Sequence, residues 1–149
     1  MDADRLPQWP AGWLGSISHS SLVAVAVASR SSSCMALGID VEKWLDDKSC
    51  ADVREQVAAP GELELFGGST EQRALTLLFS AKETLYKALY PQVRQFFDFM
   101  AACVVAVAPG RLDLQLCQDW SAHWRQGQVL AVRYVCHPEH IYTALHLPR

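Results

Sequence analysis

Two carboxylates on an extended stretch and one on a helix are the residues of this sequence best suited to chemistry. In Gly38-Ile39-Asp40-Val41-Glu42, strand positions i and i+2 share a face, so Asp40 and Glu42 stand about 7 Å apart on one side. Like charges held together at the end of an apolar strand repel each other and lose hydration. They call for a counter-charge, and a hard divalent cation with oxygen ligands is a natural one. Solvated carboxylates at a strand end, with Lys43 as partner, are the alternative for this stretch taken alone. Further along, Phe79-Ser80-Ala81-Lys82-Glu83-Thr84-Leu85-Tyr86-Lys87 reads as helix. Glu83 and Lys87 are four apart with the acid nearer the N-terminus, so they share a face and can pair. Lys82 lies one position round. An ordinary surface ion pair is the alternative here.

Taken together, the two stretches point further. Asp40, Glu42 and Glu83 form an acidic set that offers Mg2+ a partial carboxylate shell, with water and a ligand phosphate completing it. Lys82 and Lys87 are then expected to face the same anionic group, and such a convergence of acids and lysines describes a site for a pyrophosphate. Ser16-Ile17-Ser18-His19-Ser20 adds hydroxyl and imidazole donors for an anion, His19 being able to stay charged beside a phosphate. A Ser–His nucleophile is the rival reading, and no G-x-S-x-G elbow supports it.

These residues need elements to hold them. Residues 1–16 carry Pro7, Pro10, Gly12 and Gly15 among Leu6, Trp9, Trp13 and Leu14, and read as an extended segment with turns. Leu22 to Ala28 and Met35 to Val41 read as strands joined by the polar turn Ser29–Ser33, a hairpin. The continuous apolarity of the first predicts burial on both faces. Cys50 to Ala59 is a short helix stopped by Pro60-Gly61, with a further turn over Glu62 to Phe66. Ser69 and Gln72 fit a capping box, and Leu75, Leu78, Phe79, Leu85, Tyr86 and Leu89 follow at helical spacing until Pro91. Phe99 to Ala108, Arg111 to Cys117, Gln128 to Cys136 and Ile141 to Leu147 read as strands. The order predicts an α+β domain with one long helix packed on an antiparallel sheet.

Composition agrees. A chain of 149 residues, 50% hydrophobic and 19% charged, fits one domain that buries roughly 70% of its unfolded surface, and excludes a disordered chain. A net charge of -3 argues against wholesale nucleic-acid binding. No apolar run approaches the ~20 residues of a membrane helix. The N-terminal Met1-Asp2-Ala3-Asp4-Arg5 lacks the pattern of a secretion signal. Cys34, Cys50, Cys103, Cys117 and Cys136 are scattered without a C-x-x-C, which predicts reduced, mostly packed thiols. The expectation is a soluble, cytoplasmic protein.

The motifs together resemble the Sfp/EntD-type 4'-phosphopantetheinyl transferases. That family's signature is a G-[IV]-D-x-E strand followed downstream by [FW]-S-x-K-E-x-x-x-K, and both halves are present at Gly38–Glu42 and Phe79–Lys87. The lead-in Trp9-Pro10-Ala11-Gly12 and Gly15–Ser20 is most similar to the EntD, siderophore-associated branch. The resemblance implies Mg2+-dependent transfer of the phosphopantetheine arm of coenzyme A to a serine of an apo carrier protein (acyl, aryl or peptidyl), with release of 3',5'-ADP. It assigns Asp40, Glu42 and Glu83 to Mg2+, and Glu83 to the proton of the incoming serine, directly or through a water. It assigns Lys82 and Lys87 to the pyrophosphate and to the charge developing on the leaving ADP oxygen. Ser18 and His19 fall to the adenosine-side phosphates.

Family members of this type usually have two similar lobes with coenzyme A between them. On that pattern residues 1–28 are the end of a first lobe and residues 29–149 the second. The upstream basic residues that hold the 3'-phosphate have no counterpart before Pro7. Three outcomes are open: a short form that binds coenzyme A weakly, a homo-oligomer in which another subunit completes the cleft, or a partial product. A fragment that binds a carrier protein or phosphate ligand without turnover is the alternative to an enzyme.

Other features carry less. His137-Pro138-Glu139-His140 has a metal-like spacing but reads as a turn with solvated imidazoles. Trp44, Leu45, Phe96, Phe97 and Phe99 are either an apolar surface for a carrier helix or core. Trp120, Trp124 and His123 read as packing residues near a turn.

Overall fold

Leucines at helical spacing make one helix the centre of the molecule. The computed structural model describes residues 5–149, with α1 at Asp47–Val57 and the long α2 at Glu71–Val93. Leu75, Leu78, Leu85 and Leu89 form a fully buried stripe on α2, each contributing about 1.5–3 kcal/mol relative to an exposed position. Thr70 caps α2, its hydroxyl accepting the Arg73 N–H. The expected Ser69–Gln72 capping box does not form, because the Gln72 amide turns to Asp47 of α1. Pro91 does not stop α2 either. It lies in the last turn, and the helix runs on to Val93, where Arg94 adopts the left-handed conformation and bonds back to the Tyr90 carbonyl.

The strands are β1 (Trp13–His19), β2 (Ala24–Arg30), β3 (Cys34–Lys43), β4 (Ala102–Ala108), β5 (Arg111–Leu116), β6 (Val129–Cys136) and β7 (His140–Pro148). β4 to β7 form the expected antiparallel meander, and β3 closes the sheet beside β7 in the order β3-β7-β6-β5-β4. The core lies between this sheet and α2, with Leu112, Leu114 and Leu116 of β5, Val132 of β6, and Ile141 and Leu145 of β7 meeting the leucine stripe. Trp120 and Trp124 are buried there as anticipated.

The N-terminal hairpin differs from expectation. β2 pairs with β1, not with β3, and its Ala24, Ala26 and Ala28 are exposed while Val25 and Val27 are half-buried, so the strand is not covered on both faces. The reason lies in the turn. Ser20 Oγ accepts the N–H groups of Leu22 and Val23, and Ser20 N–H bonds the Val23 carbonyl, which reverses the chain there. The lead-in Trp9 packs on this hairpin at Gly15, where a Cβ would fall 2.5 Å from the indole ring.

β1 lies beside the outer edge of β3 without extending its ladder. Ser16 and Ser18 Oγ instead accept the N–H groups of Ile39 (3.1 Å) and Val41 (3.3 Å). Buried hydroxyls thus satisfy donors that a sheet edge leaves open. The cysteines are free thiols, but Cys117 and Cys136 are exposed while Cys34 and Cys50 are buried, so packing holds for only some of them. Among the described residues no helix is long and apolar enough to cross a membrane.

Candidate active site

The site forms where α2 comes closest to β3. Gly38 permits that approach, since a Cβ there would lie 2.3 Å from the Thr84 carbonyl oxygen and 3.0 Å from the Ala88 Cβ. Two residues on, Asp40 points at the polar edge of α2. It is 1% exposed, and its oxygens are engaged: Oδ1 accepts from Lys87 Nζ at 2.7 Å and from Ser18 Oγ at 2.9 Å, and Oδ2 from Ser80 Oγ at 2.8 Å.

Glu42 shares the Asp40 face, as strand alternation requires. Burial, then the Asp40 charge and a hydrogen bond with Asp40, push the Glu42 carboxyl up to about 8, with Lys87 opposing and Glu83 adding to the rise. Glu83 is also raised, first by burial and then by Asp40, again against Lys87. The structure therefore brings Asp40, Glu42, Glu83 and Lys87 into one interacting cluster. It gathers negative charge in a buried place, offset by the Lys87 ammonium and by the raised proton affinity of Glu42. Among the described residues no three carboxylate, His or Cys side chains stand as a ready-made metal cage.

Lys82 does not join this cluster. Its Nζ donates to Glu62 Oε1 (2.7 Å) and to the carbonyls of Val57 (2.7 Å) and Phe99 (2.9 Å), with its side chain 3% exposed. Consecutive helical residues diverge by about 100°, which sends Lys82 into the core between α1 and β4 while Glu83 stays toward β3. Lys82 and Lys87 thus pair with different carboxylates, Glu62 and Asp40. Ser18 and His19 also diverge: Ser18 faces Asp40, and His19 is exposed on the other face of β1.

The remaining sequence candidates separate as well. Trp44 donates its indole N–H to the His137 carbonyl and lies under Arg73, away from the trough that Phe96, Phe97 and Phe99 line. His140 is buried against Ser20 at 3.0 Å, whereas His137 is exposed, so only one of these two imidazoles is solvated.

Two concavities flank the cluster. One of about 670 Å³ has Lys82 and Glu83 in its wall with Tyr86, Phe96, Phe97, Phe99 and Trp120. The other, of about 920 Å³, lies between the N-terminal segment and the end of α2, with Lys87 in its wall beside Trp9, Trp13 and Met35. Sequence reasoning did not single out Ser80 or Glu62. Ser80, Thr84 and Lys87 sit at i, i+4 and i+7 of α2, a polar stripe on one face that was legible. Glu62 reaches Lys82 through a loop and left no periodic signal.

Comparison with known proteins gives a consistent result. Residues 36–142 match the 4'-phosphopantetheinyl transferase superfamily, and residues 1–29 match the 4'-phosphopantetheinyl transferase N-terminal domain. Enterobactin synthase component D of Salmonella typhimurium is 34% identical over 124 residues, covering 82% of this chain and 51% of that protein. Enterobactin synthase component D of Escherichia coli (strain K12) is 40% identical over 86 residues, 56% of this chain and 40% of the relative. The 4'-phosphopantetheinyl transferase Svp of Streptomyces mobaraensis is 35% identical over 97 residues, 62% and 39% of the two chains. The chain spans about half the length of the first of these relatives.

Proposed function

Because the chain belongs to the 4'-phosphopantetheinyl transferase superfamily, we propose that it moves the phosphopantetheine arm of coenzyme A onto a serine of an apo carrier protein in the cytoplasm, of the kind used in siderophore or nonribosomal peptide synthesis. The observation that carries this reading is the cluster of Asp40, Glu42 and Glu83 with Lys87.

The donor set fits a hard dication. Oxygen donors alone, an excess of negative charge and a carboxyl whose proton affinity is raised describe a place where Mg2+ would compete with a proton. Asp40, Glu42 and Glu83 would hold it, and when bound it supplies charge neutralisation to the pyrophosphate of coenzyme A.

The chain's own residues do the rest. The serine hydroxyl oxygen attacks the phosphorus that carries pantetheine. The bond from that phosphorus to the bridging oxygen breaks, and 3',5'-ADP leaves. Glu83, in the wall of the trough beside the cluster, accepts the serine proton directly or through a water. Lys87 faces the departing oxygen and stabilises its charge. The apolar trough beside Glu83 suits the pantetheine arm and the incoming serine, and the concavity walled by Lys87 and tryptophans suits the nucleotide end. Lys82, locked to Glu62, contributes framework rather than charge.

The test is incubation of the chain with fluorescent coenzyme A, Mg2+ and an apo aryl carrier protein. Label transfer that disappears in Glu83→Ala is the expected result, and no transfer at any protein concentration overturns the reading in favour of a binding fragment. Specific activity that climbs with protein concentration assigns the site to an assembly of subunits.

A further inference from the structure

A row of buried hydroxyls runs under the candidate site, and the proposed chemistry leaves it unused. Thr143 on β7 is the direct ladder partner of Asp40 on β3, so both side chains rise from the same face of the sheet. Thr143 Oγ1 lies 2.7 Å from Ser80 Oγ and 2.7 Å from Thr84 Oγ1, which stand on consecutive turns of α2. Ser80 Oγ in turn donates to Asp40 Oδ2 at 2.8 Å. Burial is complete: Ser80 and Thr84 are 0% exposed, Thr143 and Asp40 1%.

Hydrogen counting gives the row a direction. Asp40, the ion-pair partner of Lys87, only accepts. Ser80 therefore aims its one hydrogen at Asp40, which leaves its oxygen free to accept from Thr143, and Thr143 accepts from Thr84. The competing acceptors are more distant, with the Ser80 carbonyl 3.1 Å from Thr143 Oγ1 and the Thr143 carbonyl 3.3 Å from Thr84 Oγ1. Three hydroxyls aligned this way polarise one another and end on one carboxylate oxygen. For packing alone, valine would fill the Thr143 position without a hydroxyl that has to be satisfied.

We infer that Thr143 is a positioning residue for Asp40, acting through the Ser80 hydroxyl to hold Oδ2 in the orientation a divalent cation requires. This rests on the transferase reading, in which Asp40 is a Mg2+ ligand. Outer partners of ligating carboxylates act in this way in metal sites generally.

The experiment titrates Mn2+, as a paramagnetic stand-in for Mg2+, into the full chain and reads free Mn2+ by electron paramagnetic resonance, with label transfer followed in parallel. Thr143→Val is expected to weaken Mn2+ binding about tenfold, Thr143→Ser to restore it to within about twofold of the parent, and Ser80→Ala to weaken it at least as much as Thr143→Val. The KM for the carrier protein should stay unchanged throughout. A folded Thr143→Val that binds Mn2+ like the parent overturns the inference and leaves Thr143 as packing. If Thr143→Val fails to fold, Ser80→Ala decides, and parent-like Mn2+ affinity in that variant overturns it equally. A parent chain that binds no Mn2+ overturns the transferase reading itself, and this inference with it.

Discussion

Lys82 Nζ and Glu62 Oε1 lie 2.7 Å apart, with the two side chains 3% and 4% exposed. Neither charge is left alone: Lys82 also donates to two carbonyls, and Glu62 accepts the N–H groups of Ala59 and Val104. The pair therefore ties α1, α2, the segment before β4 and β4 itself to one point. It sits one residue from Glu83 and holds these elements together.

Removing one partner should expose that role. Lys82→Met is expected to lower unfolding stability by about 3–5 kcal/mol, because it strands a buried carboxylate. Adding Glu62→Leu should recover a large part of the loss, as measured by urea denaturation of both single variants and the double. Additive losses would instead mean that the two side chains act independently.

Gly38→Ala places a methyl group against the backbone of α2 at Thr84. Overpacking of this kind is expected to cost about 1–3 kcal/mol. It should also push α2 off β3, so label transfer should fall together with the urea midpoint. A variant of parent stability and activity would show that α2 is not pinned at this contact.

The acid cluster makes stability depend on pH. Glu42 rises from an ordinary 4.5 to about 8 on folding, and Glu83 rises too. Between those values the folded chain binds more protons than the unfolded chain, so unfolding free energy falls as pH increases. In EDTA, urea midpoints should decline from about pH 5 to about pH 8. Glu42→Gln should flatten the decline, and, on the proposed Mg2+ site, saturating Mg2+ should do the same.

Ser16 and Ser18 hold the hairpin to β3 through side chains alone. Ser16→Ala should leave the Ile39 amide without its acceptor, at about 1–2 kcal/mol, and amide hydrogen exchange at Ile39 should accelerate. Ser18→Ala should do the same at Val41, and it should also reduce Mn2+ affinity, since Ser18 donates to Asp40. Unchanged exchange at both amides would mean that the hairpin is held elsewhere.

Much of the architecture was readable in residue patterns. The leucine stripe of α2, the meander of β4 to β7 and the shared face of Asp40 and Glu42 all follow from periods of 3.6 and 2. The Ser69–Gln72 cap, the end of α2 at Pro91 and the hairpin partner of β2 were not readable in the same way. Each turns on a choice between nearly equal local options, decided by contacts such as Gln72 with Asp47 or Ser20 with Val23.

The sequence by itself determined which residues carry charge, on which element each sits and which neighbours on that element share its face. It also carried the paired motifs of the 4'-phosphopantetheinyl transferase superfamily. Only the tertiary structure decided that Lys82 meets Glu62, that Ser18 and Ser80 converge on Asp40, and that Thr143 stands behind them. The physical reason is that a helix or strand specifies direction relative to its own axis. What a side chain meets is set by how the axes pack, and the contact at Gly38 between β3 and α2 fixes that packing here.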